Sequence, residues 1–382
     1  MFKQLFTLRN HKSPVTCISS VTFNESYVVS GDKDGNITVW DTSVRRSKYS
    51  WQAHTDSILS ILQWRNYLVT HGRDSSIKFW KFDNQKPEEI LEIPINSLNF
   101  CNIDIYNDYL FTPATTNSNN FDCYKIDAQN LTISRVITDF NCYKLINNDD
   151  IIEINTNENL NLRNDFGIIM KLQFLPDLNH LVVGFESGDL IVVKIDWNND
   201  IDISSKNDRL ILNKDPRVIL VYHNNFHSPN PITCICFDHD LYTGSTTKKI
   251  LKHNVPANTC NIISLNHAGV LLIIPMNNKF LIIGFWNGLI EIRYDGNEPV
   301  VLSRPTPSET LLEIPKANLK LSSMVLYKPQ IISPANNSYR NVIKSKRNMT
   351  SPVLFAGYED GVVAAYFIDA NVDEPLTITE IE

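Results

Sequence analysis

Long apolar stretches are missing from this sequence of 382 residues. The longest apolar run, Gly269 to Pro275, is far shorter than the roughly 18 residues that a membrane-spanning helix needs. The N-terminal residues, Met1 to Phe6, have no apolar core of the kind found in a secretory signal peptide. The seven cysteines are an odd number and contain no CxxC pair, so we expect reduced thiols in or near a core. These absences predict a soluble intracellular protein without a membrane partner.

An excess of basic residues is also missing. Lys and Arg total 35 against 42 Asp and Glu, and the resulting net charge of −7 argues against direct nucleic-acid binding. The sequence has no GxxxxGK[ST] phosphate loop, GxSxG elbow, HExxH pair or Cys/His cluster. His223 and His227 are separated by four positions, but they lie in Asn- and Pro-rich sequence without a third ligand nearby. The sequence therefore predicts no enzyme activity, no metal and no cofactor.

A repeat with a period of 40 residues is present near the N-terminus, and it separates Asp34 from Asp74 and Trp40 from Trp80. Each copy also carries an upstream His and a Ser or Thr. The full sets are His11, Ser30, Asp34 and Trp40 in the first copy, and His54, Thr70, Asp74 and Trp80 in the second. This signature is typical of a WD-type β-propeller blade.

Further copies of the strand–turn–strand core bring the number of blades to seven. Their turn glycines include Gly184, Gly244, Gly284 and Gly357, and a degenerate copy lies between Tyr109 and Tyr124. No stretch shows sustained helical periodicity. The sequence thus predicts an all-β, seven-bladed WD40 β-propeller that forms a single domain over residues 1–382. The expected blades are 9–50, 51–95, 96–137, 166–222, 228–266, 267–303 and 317–369.

The ends of the chain and two long intervals lie outside this regular pattern. We expect residues 4–8 to pair with the C-terminal blade, because this pairing closes the ring and protects its edge. Residues 138–165 and 327–351 exceed the period and are predicted to be solvated or disordered loop insertions. The second contains the basic run Lys344–Arg347, for which a solvated loop and a nuclear-import signal both remain open.

Two roles are predicted for the residues around the turns. The repeated His, Ser or Thr, Asp and Trp are expected to hydrogen-bond in series and to tie one loop to the next. Residues that flank the turn glycines are candidate anchors for a partner on one rim of the ring. They are His71, Arg73, Phe185, Glu186, Phe285, Trp286, Tyr358 and Glu359. The alternative is that these side chains pack over the central channel or against neighbouring blades.

Three segments resemble a known family. Residues 6–16, FTLRNHKSPVT, look like the start of fungal ASTRA-associated protein 1 and of its animal relatives, the guanine-nucleotide-binding β-subunit-like proteins. The segments Thr70–Asp74 and Ala356–Gly361 are similar to the second and last blades of that family. The clear matches cover blades one, two and seven, and the middle of the chain matches only in outline. No functional residue of the family can be carried over.

The resemblance implies a non-enzymatic scaffold in a multi-subunit complex. The implied partners are cochaperone subunits of the triple-T type, RuvB-like ATPases and giant kinase-like proteins. The implied process is the maturation of phosphatidylinositol-3-kinase-related kinases, with a link to chromatin regulation. A nuclear or nucleocytoplasmic location is implied as well. Other WD40 adaptors remain as alternatives, either a ubiquitin-ligase substrate receptor or a histone- or peptide-reading subunit.

Overall fold

Strand formation follows from short runs of β-branched and aromatic residues that alternate with Gly, Asn, Asp and Ser turns. A computed structural model describes residues 2–23, 26–82, 87–96, 100–147, 165–197, 216–276, 280–294, 298–304, 318–328 and 351–368. In these ranges the chain forms seven antiparallel sheets of four strands. Each sheet is one blade, and its strands are called a, b, c and d from the centre of the ring outwards.

The first strand, β1 (Phe2–Arg9), belongs to blade 7, and the other strands follow in blade order. Blade 1 contains β2 (Val15–Thr22), β3 (Ser26–Asp32), β4 (Asn36–Asp41) and β5 (Arg46–Gln52). Blade 2 contains β6 (Ile58–Trp64), β7 (Tyr67–Gly72), β8 (Ser76–Lys81) and β9 (Glu88–Pro94). Blade 3 contains β10 (Asp104–Tyr106), β11 (Tyr109–Pro113), β12 (Phe121–Asp127) and β13 (Thr132–Phe140), followed by helix α1 (Tyr143–Asn147).

The second half of the ring repeats this order. Blade 4 contains β14 (Ile169–Leu175), a 3-10 turn (Pro176–Leu178), β15 (His180–Phe185), β16 (Leu190–Asp196) and β17 (Arg217–Asn224). Blade 5 contains β18 (Ile232–Asp238), β19 (Asp240–Ser245), β20 (Lys249–Asn254) and β21 (Thr259–Ser264). Blade 6 contains β22 (Val270–Met276), β23 (Phe280–Phe285), β24 (Ile290–Tyr294) and β25 (Val300–Leu302). Blade 7 contains β26 (Leu321–Tyr327), β27 (Val353–Tyr358) and β28 (Val362–Ile368), with β1 as its strand d.

The core lies between neighbouring blades, so the middle strands are apolar on both faces. All six residues of β27 are buried, whereas most of β5, a strand d, is exposed. One apolar cluster joins Val15 and Trp40 of blade 1 to Phe355 and Val363 of blade 7. Each blade is therefore stabilised by the next one, and the core is continuous across the point where the ring closes.

The ring closes through the two ends of the chain. Strand β1 pairs antiparallel with β28, with Leu8 opposite Val363 and Arg9 opposite Val362. This is the pairing that the sequence predicts for residues 4–8. Leu8 is 1% exposed, so the closing strand is anchored by a buried side chain as well as by backbone hydrogen bonds.

The turn between strands b and c lies against the loop that enters the next blade. Gly35 has φ +83° in this turn of blade 1, and a Cβ atom built there would lie 2.1 Å from the His54 carbonyl oxygen. Only glycine permits both this backbone conformation and this approach. The b–c turns and the d–a loops consequently share one rim of the propeller, which we call the turn rim.

The structure differs from the predicted loop at residues 138–165. Residues 138–140 continue β13, and Tyr143–Asn147 form α1. The reason is apolar content, because Cys142 is buried and Leu145 and Ile146 pack against the core of blades 3 and 4. Residues 148–164 of that insertion and residues 329–350 of the other, including the run Lys344–Arg347, lie outside the described residues.

Candidate interaction surface

In blade 2 the structure brings the four predicted network residues together. The Trp80 indole N–H donates to Thr70 Oγ1 at 2.8 Å, and Thr70 Oγ1 lies 2.7 Å from His54 Nε2. His54 Nδ1 lies 2.9 Å from Asp74 Oδ1. Partial burial raises the pKa of Asp74, but hydrogen bonds from His54 and the Thr55 amide outweigh it and hold the pKa well below its ordinary value. The chain of hydrogen bonds therefore ends on an ionised carboxylate.

In blade 1 the predicted carboxylate, Asp34, is wrong. His11 Nε2 lies 2.7 Å from Ser30 Oγ, and the Trp40 indole N–H donates to the same oxygen at 2.7 Å. His11 Nδ1, however, lies 2.8 Å from Asp32 Oδ2, and Asp34 is exposed. Asp32 lies at the end of β3, and its carboxylate also accepts the backbone amides of Asp34 and Asn36. These hydrogen bonds stabilise the backbone of the b–c turn.

Blade 5 contains a network with a second histidine that sequence reasoning missed. Thr243 Oγ1 lies 2.9 Å from His227 Nε2 and 2.8 Å from His253 Nε2. His253 occupies the position of the repeat Trp, ten residues after the Thr, and this spacing was the available signal. Burial, with Lys249 nearby, lowers the pKa of His227 to about 4, and burial, with His227 nearby, lowers the pKa of His253 to about 3. Both rings are therefore neutral at physiological pH.

Blades 4 and 7 contain other polar pairs. His223 Nε2 lies 2.7 Å from Asp189 Oδ1 in blade 4, and the hydroxyls of Tyr358 and Tyr366 lie 2.8 Å apart in blade 7. His223 and His227 thus have separate partners. Among the residues that the structure describes, no three His, Cys, Asp or Glu side chains are grouped so that they could hold a metal ion.

Four of the eight predicted rim anchors are buried, so their assignment to a partner-binding surface is wrong. His71 and Phe185 are each 1% exposed, and Phe285 and Tyr358 are 0% exposed. Each of them belongs to a strand b, where side chains pack between blades. For example, the Phe185 ring lies 5.1 Å from the Phe166 ring. Burial lowers the pKa of His71 to about 3, so this side chain is an uncharged core residue.

The other four predicted anchors lie at the surface of the turn rim. Trp286 is 45% exposed, and its ring lies over Gly269 of the adjoining loop. Arg73 is exposed, whereas Glu186 is half-buried. Glu359 is exposed, and its Oε1 accepts the Lys320 amide at 3.1 Å. The structure therefore retains one aromatic anchor and three charged side chains from the predicted set.

Two further aromatic side chains are exposed on the turn rim, and sequence reasoning missed both because it chose anchors only among the residues that flank the turn glycines. Phe100 precedes strand a of blade 3 and is 49% exposed, with the Arg73 guanidinium 4.3 Å from its ring centroid. Phe226 precedes strand a of blade 5 and is 52% exposed. With Trp286 they form a set that we call the rim aromatics. Exposed aromatic side chains beside charged ones are typical of protein interfaces.

The described part of the chain includes no helix that is long and apolar enough to cross a membrane.

A protein-family model described as ASTRA-associated protein 1 matches residues 4–366.

Proteins of that same description were found in several yeasts. One from Candida albicans strain WO-1 is 40% identical over 388 residues, covering 96% of this chain and 100% of the relative. One from Candida tropicalis is 40% identical and covers 95% and 99%. One from Scheffersomyces stipitis is 33% identical and covers 95% and 98%. These matches extend over nearly the whole length of both proteins.

Among solved structures, Sqt1 of Saccharomyces cerevisiae superposes with a TM-score of 0.60. The match covers 96% of this chain and 98% of Sqt1 at 12% sequence identity. At that identity the likeness shows the shared propeller fold alone.

Proposed function

Because the chain belongs to the family of ASTRA-associated protein 1, we propose that this non-enzymatic propeller scaffold works in an ASTRA-type complex that matures phosphatidylinositol-3-kinase-related kinases. Its proposed partners are a triple-T type cochaperone, RuvB-like ATPases and the giant kinase-like clients. The proposed location is the nucleus, with a link to chromatin regulation. The family match over residues 4–366 carries this proposal.

The turn rim supports a docking role and supplies the surface for it. The rim aromatics are Phe100, Phe226 and Trp286, each between 45% and 52% exposed. The Trp286 amide donates to the Gly269 carbonyl at 3.0 Å, which holds this part of the rim backbone in place, so little ordering free energy is required there when a partner binds. Large aromatic side chains on a rigid surface are the residues that most often dominate binding energy.

A tagged chain purified from yeast cells with its bound proteins, followed by mass spectrometry, tests the proposal. We expect RuvB-like ATPases, cochaperone subunits and kinase-like giants to be recovered. Recovery of ubiquitin-ligase or histone-methyltransferase subunits in their place would overturn the proposed complex.

The role of the turn rim is tested with the double variant Phe100→Ala and Trp286→Ala. We expect recovery of the partners to fall at least about tenfold, because interface aromatics typically contribute about 2 kcal/mol each. The matched control is Val44→Ala with Leu178→Ala, which removes two side chains of similar exposure, 48% and 41%, from the loops of the opposite rim. If both double variants reduced the recovery of the partner proteins equally, docking through the turn rim would be contradicted.

A further inference from the structure

Four neighbouring segments of the turn rim, at blades 5 and 6, contain no Asp or Glu. They are residues 225–231, 245–249, 264–269 and 285–289. Thr246 Oγ1 donates to Asn230 Oδ1 at 3.2 Å, and the Thr246 carbonyl accepts the Gly269 amide at 3.0 Å. The Gly269 carbonyl in turn accepts the Trp286 amide at 3.0 Å. The four segments therefore form one continuous surface, which we call the blade 5–6 strip.

Two lysines of the blade 5–6 strip have no counter-ion among the residues that the structure describes. Lys248 is exposed, and its side chain makes no hydrogen bond or ion pair in this part of the chain. The Lys249 ammonium donates to the carbonyl oxygen of Phe226, which is a neutral acceptor. Positive charge is therefore concentrated on the strip without compensation, and it attracts negatively charged groups from solution.

At blades 1 and 7 of the same rim, cations lie beside carboxylates. In the b–c turn of blade 1 the exposed residue Lys33 is followed by Asp34, which is also exposed. At blade 7 the guanidinium of Arg304 forms an ion pair with Asp360, with a nitrogen–oxygen distance of 2.7 Å. The uncompensated charge of the blade 5–6 strip is thus a local feature and not a general property of the rim.

Exposed aromatic side chains flank the two lysines. Phe226 is 52% exposed and Trp286 is 45% exposed. A Cβ atom built on Gly269 would lie 3.4 Å from Trp286 Cε3, so the indole rests against this backbone and leaves nearly half of its surface in solvent. Around the rim the order is therefore aromatic, lysine, aromatic. A ligand that matches this order has apolar groups on both sides of its negative charge.

We propose that the blade 5–6 strip binds an extended acidic segment of a partner protein. Asp or Glu side chains of this segment face Lys248 and Lys249, and its large apolar side chains pack on Phe226 and Trp286. An extended peptide presents alternate side chains to the same surface, so one segment supplies both the carboxylates and the apolar groups. This inference rests on the docking role in the proposed function and adds the chemistry of the partner.

A single-stranded nucleic acid also combines negative charge with flat rings, but the surroundings of the strip disfavour it. Such a ligand has a phosphate at every nucleotide and binds in grooves that are positively charged along their length. The strip contains two lysines and no arginine, and the b–c turns on either side of it contain Glu186 in blade 4 and Glu359 in blade 7. A short acidic peptide places its charges at the lysines alone and avoids both glutamates.

Selection from a random library of dodecapeptides displayed on phage, with the purified full-length chain as bait, tests the proposal. We expect the selected peptides to contain several Asp or Glu residues together with a large apolar residue. A selected peptide is then synthesised with a fluorescent label, and its Kd is measured by anisotropy. Lys248→Glu should weaken binding at least about fivefold, because an attractive charge becomes a repulsive one, and Trp286→Ala at least about tenfold. The affinity should also fall as the salt concentration rises.

Lys33→Glu is the matched control, since it reverses the charge of an exposed lysine on the b–c turn of blade 1 and should leave the affinity unchanged. The inference is overturned if no peptide is selected or if the selected peptides lack an excess of acidic residues. It is also overturned if Lys248→Glu and Lys33→Glu bind the peptide equally well. Displacement of the labelled peptide by oligothymidine at a lower concentration than by the unlabelled peptide would assign the strip to a nucleic acid and overturn it too.

These measurements use the purified chain alone, so they are separate from the test of the proposed complex. Recovery of a different complex from yeast cells would contradict the proposed function and leave the acidic-segment site standing. Failure of the peptide selection would contradict the site and leave the proposed function standing.

Discussion

Single residues in the repeat decide which polar atoms of a blade are paired. In blade 2 His54 Nδ1 faces Asp74, but the corresponding residue of blade 5 is Thr247. As a result His227 Nδ1 and Thr247 Oγ1 are buried without a hydrogen-bond partner among the described residues. Unpaired buried polar atoms of this kind cost stability.

Restoring the carboxylate in blade 5 should repair this defect. We expect Thr247→Asp to raise the free energy of unfolding by about 1 kcal/mol, because the new carboxylate can accept from His227 Nδ1. Urea denaturation followed by circular dichroism measures the change. Thr247→Val is the matched control, since it removes the unpaired hydroxyl without supplying an acceptor. A less stable Thr247→Asp variant would contradict this account of the two unpaired atoms.

The network in blade 1 shows how far residue spacing predicts such pairs. The repeated signature correctly identified His11, Ser30 and Trp40, whose hydrogen bonds the structure contains. It selected Asp34 over Asp32 because Asp34 aligns with Asp74. Two carboxylates lie in the same turn, and the path of the turn backbone, which spacing alone does not describe, determines which one reaches the histidine.

At the scale of the blade, blade 5 should make stability depend on pH. The pKa values of His227 and His253 are about 4 and about 3 in the folded state, against an ordinary value of 6.5. The unfolded chain therefore binds more protons than the folded chain between these values and 6.5. Stability contributed by the neutral rings is complete above pH 6.5 and is lost as the pH falls from 6.5 towards 4.

Between pH 6.5 and pH 4 we expect each of the two histidines to lower the free energy of unfolding by on the order of 1 kcal/mol for each pH unit that the pH falls. Urea midpoints measured from pH 7.5 to pH 4.5 check it. His253→Gln keeps a side-chain donor for Thr243 but does not titrate, so its midpoint should fall less steeply with pH. The stability that Asp74 contributes is lost only as the pH falls below its ordinary pKa of 3.8, outside this range. His71 of blade 2, whose pKa is also lowered to about 3, adds the same pH dependence to the variant and to the wild type, so the difference between the two profiles reports on blade 5. Identical pH profiles for the variant and the wild type would refute the assignment to blade 5.

The ends of strands also decide which predicted anchors are accessible. Phe185, Phe285 and Tyr358 were predicted as rim residues because they flank turn glycines, yet each is the last residue of a strand b. The residue that follows in blade 6, Trp286, is 45% exposed. One position thus separates the core between blades from the surface, and the turn motif does not show on which side of that boundary a side chain lies.

For the whole molecule, closure of the ring by β1 makes an N-terminal residue important to every blade. Leu8→Ala should lower the free energy of unfolding by about 2–4 kcal/mol, because Leu8 is 1% exposed in the cluster that joins blades 1 and 7. Leu5→Ala in the same strand is the matched control. Leu5 is 44% exposed, so its loss should change stability by less than about 0.5 kcal/mol.

Chemical denaturation followed by both tryptophan fluorescence and circular dichroism measures these effects. The two signals should shift together in Leu8→Ala, because the blades share their cores and unfold as one unit. An unchanged midpoint for Leu8→Ala would mean that β1 contributes little to holding the ring closed.

The sequence by itself determined the propeller fold, the number of blades and the resemblance to the family. These depend on local features, namely glycine turns, β-branched runs and a constant period. Only the tertiary structure decided that His71 and Phe285 are buried and that Phe100 and Phe226 share a rim with Trp286. The physical reason is that the environment of each of these side chains is created by a neighbouring blade or by the whole ring, and not by adjacent residues in the chain.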